Sequence, residues 1–524
     1  MGLARPATIG QASVHWGPRE FLLVVLSGGC LALAFPPAGF LPVAFVALVP
    51  LFWVLRRIRP SGLWSAFRPG LVAGVAFFAP LLYWLVNLSS QEIDNPIVMS
   101  GPLVLLVLLE AFYWGLFSAG ATWAVSRGRV AGWIAFPVLW VACELLRSLF
   151  VLGFTWGALG YAGVEYPRAV QFASITGVFG VSLWIALANA LLLEVIAPDR
   201  LGRRAAAVWL ALVLAVPVAH GSAVLARDRS WPTVRVAVIQ PNIAPERKWD
   251  ARFKEESFRI LRELSVAAAV EGPALIVWPE TATPSYLLRA PYDLAQVAAV
   301  ARETGIPVLT GFPDMTEDPR GPRGVRTFNS ALLVSSDGVP RQKYDKIHLV
   351  PFGEIIPFES AFPVLTRVDF GEADFTPGRA RVVFDTGSAR PAVLICFEAI
   401  FPGLVREFVV EGADLLVNIT NDVWYGRTSM PFQHASMSLM RSIENRRSLA
   451  RSANSGVSLL ADPFGRTTAR LGIFERGYLV GEVPLVSEET FYTRHGDVLA
   501  WALTCLAVLL TLTPALPRAR RPRN

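Results

Sequence analysis

Charge is scarce in this chain. Of 524 residues only 17% are acidic or basic, while 53% are hydrophobic and the mean hydropathy is +0.46. An ordinary soluble domain is roughly a quarter charged, so the composition predicts membrane segments. Cysteine is nearly as scarce. Cys30, Cys143, Cys396 and Cys505 are the full set, no pair has metal-ligand spacing, and no disulfide framework is readable. Three of them lie within long apolar runs, and Cys396 alone sits in the polar part of the chain. Neither a GxGxxG nor a P-loop follows any strand-like run, so nucleotide binding is not indicated. None of the five histidines has an obvious match to a Cys–His dyad, His348 and His434 being the two worth following. No small-residue cleavage pattern follows the first apolar block near residue 20, so a cleavable signal peptide is not expected.

The apolar runs fall near 20–36, 40–55, 70–88, 101–125, 130–147, 172–196, 205–225 and 498–516, each approaching the length needed to span a bilayer. Pro36, Pro37 and Gly39 separate the first two so tightly that they could form a hairpin that does not fully cross. The net charge of +7 comes largely from arginines between these runs, a pattern of membrane topology before nucleic acid. Arg56, Arg57, Arg59 and Arg68 follow the second run, Arg127 and Arg129 the fourth, and Arg200, Arg203 and Arg204 the sixth. Arg518, Arg520, Arg521 and Arg523 end the chain. The 87–100 loop between the third and fourth runs has Glu92 and Asp94 but no Lys or Arg. Every second loop is basic, so the positive-inside rule predicts about eight transmembrane helices with both termini cytoplasmic. Three regions follow: a membrane domain of seven spans (1–228), an exported domain (229–495), and a last span with a basic tail (496–524). The expected location is a bacterial inner membrane, with the exported domain in the periplasm.

The exported region has another texture. VRVAVIQ (234–240), ALIVWPE (274–280), PVLTGF (307–312), NSALLVSS (329–336), AVLICFE (392–398) and DLLVNITN (414–421) read as buried strands. Stretches 251–270, 291–303 and 430–446 have helical periodicity. This predicts a layered α/β domain with strands covered on both faces.

Several strands end in polar residues that burial would not select: Glu280, then Cys396 with Glu398, then Asn421 and Asp422, while KYDKIHLVPFGEIIPF holds Lys346 and Glu354. Taken singly, each reads as an ordinary loop, surface or core residue. Together they supply one chemistry. A thiol attacks a carbonyl as thiolate, and its usual pKa near ~8.5 leaves little thiolate at neutral pH. A nearby carboxylate can take the proton, and a lysine ammonium can stabilise thiolate and oxyanion. Glu354 could hold that lysine charged and in place.

WPE (278–280), KxHLVPFGE (346–354) and CFE (396–398) resemble the Glu–Lys–Cys pattern of the nitrilase, or carbon–nitrogen hydrolase, superfamily. With QPNIAPERKWD (240–250), GFTWGALGY (153–161) and NITNDVWYG (418–426) in a membrane context, the whole chain is similar to the bacterial apolipoprotein N-acyltransferase family. The resemblance implies a nitrilase-like αββα sandwich beside the helical membrane domain. It implies acyl transfer from a membrane phospholipid to the α-amino group of a lipoprotein's diacylglyceryl-cysteine, by a monomer with no metal or other cofactor and no nucleic-acid partner. Carried over by position, Glu280 is the general base, Cys396 the nucleophile and Lys346 the oxyanion stabiliser, with a backbone N–H near Cys396. Glu354 and Glu398 support them, and Trp249, Phe358, Phe397, Trp424 and Tyr425 line the substrate. Phe397 departs from the tyrosine frequent there. A packing role survives that change, and a role needing the hydroxyl does not.

Two other readings remain at this level. A membrane-tethered amidase could use the same triad, and a transporter or scaffold could carry the outer domain as an inactive binding module. In the membrane domain, Glu110 falls inside an apolar run, and Glu144 and Arg147 near the end of another. The latter two could pair along a helix or serve a headgroup or substrate.

Overall fold

Alternating β-branched residues in TVRVAVIQ build the first strand, β1 (Thr233–Gln240), and its two faces enter two different cores. A computed structural model describes residues 16–58, 60–88, 96–128, 130–150, 152–244, 251–319, 324–358 and 375–512. Ala237 and Ile239 of β1 pack with Phe258 and Leu261 of helix Lys254–Ala269 and with Val297 and Ala301 of helix Pro291–Thr304. Val236 and Val238 face the other way, into a core shared with a second sheet.

β1, β2 (Leu275–Val277) and β3 (Val308–Glu317) run parallel. β4 (Val325–Val334) and β5 (Pro340–Asp345) continue antiparallel, and β11 (Gly477–Pro484) pairs antiparallel with β1, giving the order β11-β1-β2-β3-β4-β5. The second sheet has the order β10-β9-β8-β7-β6, where β6 (Pro391–Ile395), β7 (Leu415–Thr420) and β8 (Ser448–Ala453) are parallel. β9 (Ser458–Ala461) and β10 (Thr467–Leu471) close it antiparallel. Helices Pro402–Val410 and Met430–Asn445 cover its outer face. Two sheets between two helical layers make an αββα sandwich, as expected from the sequence. Both parallel triplets send their C-terminal ends to one place, where ligand sites of α/β sheets collect.

The apolar runs are helical: Pro18–Ala32, the broken pair Leu41–Ala44 and Val49–Arg57, Leu63–Leu81, Pro96–Ser126, Gly132–Arg147, Ala173–Ile196, Arg203–Leu225 and Val498–Leu512. Three helical stretches among the described residues are long and apolar enough to cross a membrane by length and composition: Ser100–Ser126, Ala173–Ile196 and Arg203–Leu225. Helix Pro18–Ala32, with 15 residues, rises only about 22 Å against a hydrocarbon core of about 30 Å. The third run starts earlier than its apolar pattern, at Leu63, and ends at Leu81, just past Pro80.

The bundle has two unlike ends. At one, Arg56 pairs with Glu194 (3.2 Å) and Arg200 donates to the Gly128 carbonyl (3.0 Å), bringing three arginine-bearing loops together. At the other, the sandwich sits on the bundle. Gln433 Nε2 donates to the Pro36 carbonyl (3.1 Å), Thr155 Oγ1 to Ile400 O (2.9 Å), and Asn87 Nδ2 to Tyr425 O (3.3 Å).

Candidate active site

β2 ends at Val277, Trp278 is locked in the core with Nε1 donating to Ser265 Oγ (2.9 Å), and Glu280 emerges two residues later. Its placement depends on Gly311 of β3. A Cβ there would lie 2.7 Å from the Glu280 Cα, so only glycine allows this approach. The Glu280 carboxylate is buried and oriented from both sides. Oε1 accepts from Asn329 Nδ2 and Oε2 from the Asn421 N–H, each at 2.8 Å.

Lys346 follows β5. Its N–H donates to the Asn329 carbonyl (2.8 Å), and Gly378 is needed beside it, since a Cβ there would meet the Asp345 carbonyl at 2.0 Å. Nζ, fully buried, lies 2.8 Å from the Glu354 carboxylate and 3.6 Å from Glu280 Oε1. Burial favours the neutral amine, but the charges of Glu354 and then Glu280 outweigh it and hold the lysine pKa above its ordinary value. Glu354 is fixed in turn by Val350 N–H and by Asn329 Nδ2, both at 2.8 Å. Asn329 thus spans the two carboxylates.

Cys396 stands immediately after β6 with φ +51°, at the head of the 3-10 turn Cys396–Ile400. Burial, reinforced by the charge of Glu280, pushes its thiol pKa up, while Lys346 pulls the other way. The resting group is therefore the thiol, and attack needs a base at the moment of reaction. Lysine does not generate a standing thiolate here.

Glu398 does not serve the thiol directly. Fully buried, it accepts from Tyr344 OH (2.6 Å), Ile347 N–H (2.8 Å), His348 N–H (3.1 Å) and Ile395 N–H (2.8 Å). It ties the Lys346 segment to the Cys396 turn. Burial raises its pKa while these donors oppose the rise.

Phe397 packs edge-on to Phe401 (5.0 Å between centroids) and stacks towards Phe154 of the membrane domain (6.4 Å). Both are packing contacts, which need no hydroxyl. Tyr425 meets Trp84 edge-on at 5.1 Å, and Trp424 is half-buried beside it. Burial and then neighbouring Cys396 push the Tyr425 phenol up, so its ring lies within the field of the thiol. Phe358 is exposed, outside this cluster, and Trp249 lies outside the described residues, as does most of the 352–376 arm.

Sequence reasoning missed Asn329 and Arg451. Asn329 opens a run read only as a strand, and Arg451 lies mid-strand in β8, fully buried. Arg451 Nη2 donates to Asp422 Oδ2 (2.8 Å), whose other oxygen lies 3.1 Å from His434 Nδ1. Arg451 most directly overcomes burial at Asp422 and holds its pKa down at about 2. Cys396, Asp422 and His434 present donor atoms within 4.8 Å of one another. The guanidinium already supplies the positive charge there, so these residues do not fit a metal ion. His348 lies tilted against Phe401 at 3.9 Å, and its N–H donates to Glu398.

Glu144 and Arg147 do not pair in the way helical spacing suggested. Arg147 Nη1 binds Glu110 Oε2 (2.8 Å) and the carbonyls of Phe154 (2.9 Å) and Trp156 (2.8 Å), while Glu144 Oε1 accepts from Trp140 Nε1 (2.8 Å) and Leu159 N–H (2.7 Å). Both ends of the 153–161 motif are held by these groups.

Two family models match: the apolipoprotein N-acyltransferase N-terminal domain over residues 27–191, and carbon–nitrogen hydrolase over 235–491. A relative from Geobacter metallireducens named apolipoprotein N-acyltransferase is 40% identical, over 93% of this chain and 94% of its own. Proteins of the same name from Chlorobaculum tepidum (36%; 95% and 97%) and Bradyrhizobium diazoefficiens (33%; 95% of each) also match. Among solved structures, an amidase from Nesterenkonia sp. aligns at 22% identity and a TM-score of 0.39, over 52% of this chain and 97% of that one. The fold assignment rests on the sheets and the family models, not on that likeness.

Proposed function

This chain belongs to the apolipoprotein N-acyltransferase family, an acyltransferase family of the carbon–nitrogen hydrolase superfamily, and from that premise we propose ping-pong transfer through Cys396. The single observation that carries the mechanism is Lys346 Nζ, clamped 2.8 Å from Glu354 and 3.6 Å from Glu280 in a buried site whose thiol feels both Glu280 and Lys346.

The donor is a membrane phospholipid. Glu280 takes the Cys396 proton as sulfur attacks the ester carbonyl. Lys346 and a backbone N–H near Cys396 stabilise the oxyanion. Collapse breaks the ester C–O bond, and the lysophospholipid alkoxide leaves with the proton from Glu280, giving a thioester. The diacylglyceryl-cysteine amine then attacks the thioester, Glu280 takes the amine proton, and the cysteine sulfur leaves and recovers it. No step needs an oxidant or nucleotide. Tyr425, Phe397, Trp84 and Phe154 form an aromatic wall from thiol to bundle, suited to admitting acyl chains and excluding the water that would hydrolyse a thioester.

The same reading takes eight spans, the arginine-rich end in the cytoplasm and the sandwich in the periplasm, with boundaries at 228 and 496. The clustering of Arg56 and Arg200 at the end away from the sandwich supports that sidedness. Membrane-impermeant thiol labelling of cysteines placed at 202 and 386 should modify only the second in intact spheroplasts.

The functional test is incubation with phospholipid and a diacylated lipopeptide. An acylated lipopeptide with equimolar lysophospholipid, and a one-acyl mass increase on Cys396, are expected. Ammonia and carboxylic acid from small amides, without acyl transfer, would favour an amidase.

A further inference from the structure

His434 reaches the nucleophile's own peptide group. It lies on helix Met430–Asn445, and its Nε2 is 3.0 Å from the Cys396 carbonyl oxygen. That oxygen only accepts, so Nε2 carries a hydrogen and is not a base for the thiol. The carbonyl's other neighbour, Asn418 Nδ2, stands at 3.5 Å and makes its shorter bond (2.8 Å) to Leu394 O. His434 is therefore the principal partner of a carbonyl whose residue sits at φ +51°, a left-handed conformation that a cysteine holds only when its surroundings impose it.

A trans peptide is planar, with C=O and N–H pointing in opposite directions. Fixing the Cys396 carbonyl therefore fixes the direction of the Phe397 N–H. That N–H stands in the first turn of Cys396–Ile400, where a 3-10 turn offers no acceptor of its own. We propose that His434 is a positioning residue for acyl transfer, holding the Cys396 carbonyl so that the Phe397 N–H points at the forming oxyanion. The inference rests on the reading of Cys396 as nucleophile.

The imidazole is built in from three sides. Nδ1 lies 3.1 Å from Asp422 Oδ1 and 3.1 Å from Arg451 Nη2, and Arg451 also grips Asp422 at 2.8 Å and bonds Asn418 Oδ1. The fourth contact comes from the membrane domain. The Trp156 indole packs over the ring at 5.9 Å between centroids and donates Nε1 to Gln433 Oε1 (2.7 Å), the residue next to His434. Arg147 holds the Trp156 carbonyl, and Glu110 holds Arg147. A continuous set of packed groups thus runs from an intramembrane ion pair to the nucleophile's peptide. Burial, then the charge of Arg451, lowers the histidine pKa while Asp422 opposes the shift, and in either charge state Nε2 keeps the hydrogen that faces the Cys396 carbonyl.

Three substitutions separate positioning from filling space. Gln places an amide N–H near the position of Nε2, Asn places it near Nδ1, and Phe keeps the ring without a donor. Two rates are read: thioester formation on Cys396 from phospholipid in a single turnover, by intact mass, and alkylation of Cys396 by iodoacetamide, which forms no oxyanion. Loss of an aimed oxyanion donor costs about 10²- to 10³-fold, so His434→Phe and His434→Asn should slow thioester formation by about 10²-fold, with His434→Gln within about tenfold of the parent. Alkylation should stay within about threefold in all three, because sulfur and Glu280 are undisturbed. The proposal falls if Phe retains the parental thioester rate, if Gln and Asn are equal, or if alkylation declines in step with acylation. Should His434→Phe fail to fold, the Gln–Asn contrast decides alone. Acyl-enzyme persisting in Cys396→Ala would instead overturn the nucleophile reading itself.

Discussion

Arg147 and Lys346 are both buried cations with carboxylates on either side in the chain or in space, yet they are used in opposite ways. Arg147 turns one nitrogen, Nη1, to a structure: one carboxylate, Glu110, and two carbonyls of the 153–161 motif. Lys346 turns its ammonium to two carboxylates, Glu354 and Glu280, which Asn329 bridges behind it. The lesson concerns acceptors. A cation held chiefly by backbone carbonyls, with one carboxylate and no nucleophile beside it, is a clamp. A cation between two carboxylates beside a thiol is poised, because a proton moving onto Glu280 at once changes what it faces.

Breaking this comparison at the lysine should have the largest effect. Lys346→Met is expected to cut thioester formation by about 10³-fold, measured by acyl mass on Cys396 in detergent-solubilised protein at a temperature where the variant remains folded. Next comes Glu280→Gln, where loss of the general base should cost about 10²- to 10⁴-fold. The same variant should show a crossing effect. Removing a negative charge from beside the thiol lowers its raised pKa, so iodoacetamide alkylation at pH 8 should speed up as acylation collapses. In the parent protein alkylation should keep rising with pH through the ordinary thiol range. A plateau at or below pH 8, or slower alkylation in Glu280→Gln, would contradict the assigned electrostatics.

The clamp should break differently. Arg147→Met leaves Glu110 buried and unpaired, costing about 3–5 kcal/mol of stability, and a Glu110→Leu/Arg147→Met pair should recover most of it. No second change at Glu280 or Glu354 should restore activity to Lys346→Met. A double variant at the clamp that stayed as unstable as the single one would erase the distinction. The smallest effect is expected at Phe397→Tyr. The ring contacts to Phe401 and Phe154 persist, so transfer should change by no more than about threefold.

Much of the sandwich was legible because its central strands are apolar on both faces. Six runs ending at Gln240, Glu280, Phe312, Ser336, Glu398 and Asn421 fall on β1, β2, β3, β4, β6 and β7. β5 and β8 were not. PRQKYD is an edge strand whose Lys343 pairs with Asp314, and SLARSA buries Arg451, which Asp422, Asn418, Ser438 and the Val457 carbonyl make tolerable. A pattern of hydrophobicity is blind to a buried charge whose partner lies in another strand. Glu280 and Cys396 stood out because each lies at the end of an apolar run, and Lys346 only through the motif around it, whereas the contacts that link the three were not readable. Asn329, the Asn421 N–H and the donors around Glu398 are supplied by tertiary contacts. Glu144 and Arg147, three apart on one helix, were drawn to different partners by the motif that returns between them.

The pairing of β11 with β1 has a consequence for how this protein is made. Thr233 meets Pro484 and Gln240 meets Gly477, so the first strand to be synthesised finds one of its two neighbours only when nearly the whole domain has followed it. Until then β1 is an unpaired apolar edge, the kind of surface that invites mispairing. Helix Val498–Leu512 begins fourteen residues after that partner strand ends. Completion of the sheet and synthesis of this apolar helix are thus nearly one event in biosynthesis. A chain stopped short of Gly477 would leave the membrane machinery holding an open sheet with Glu280, Lys346 and Cys396 already synthesised.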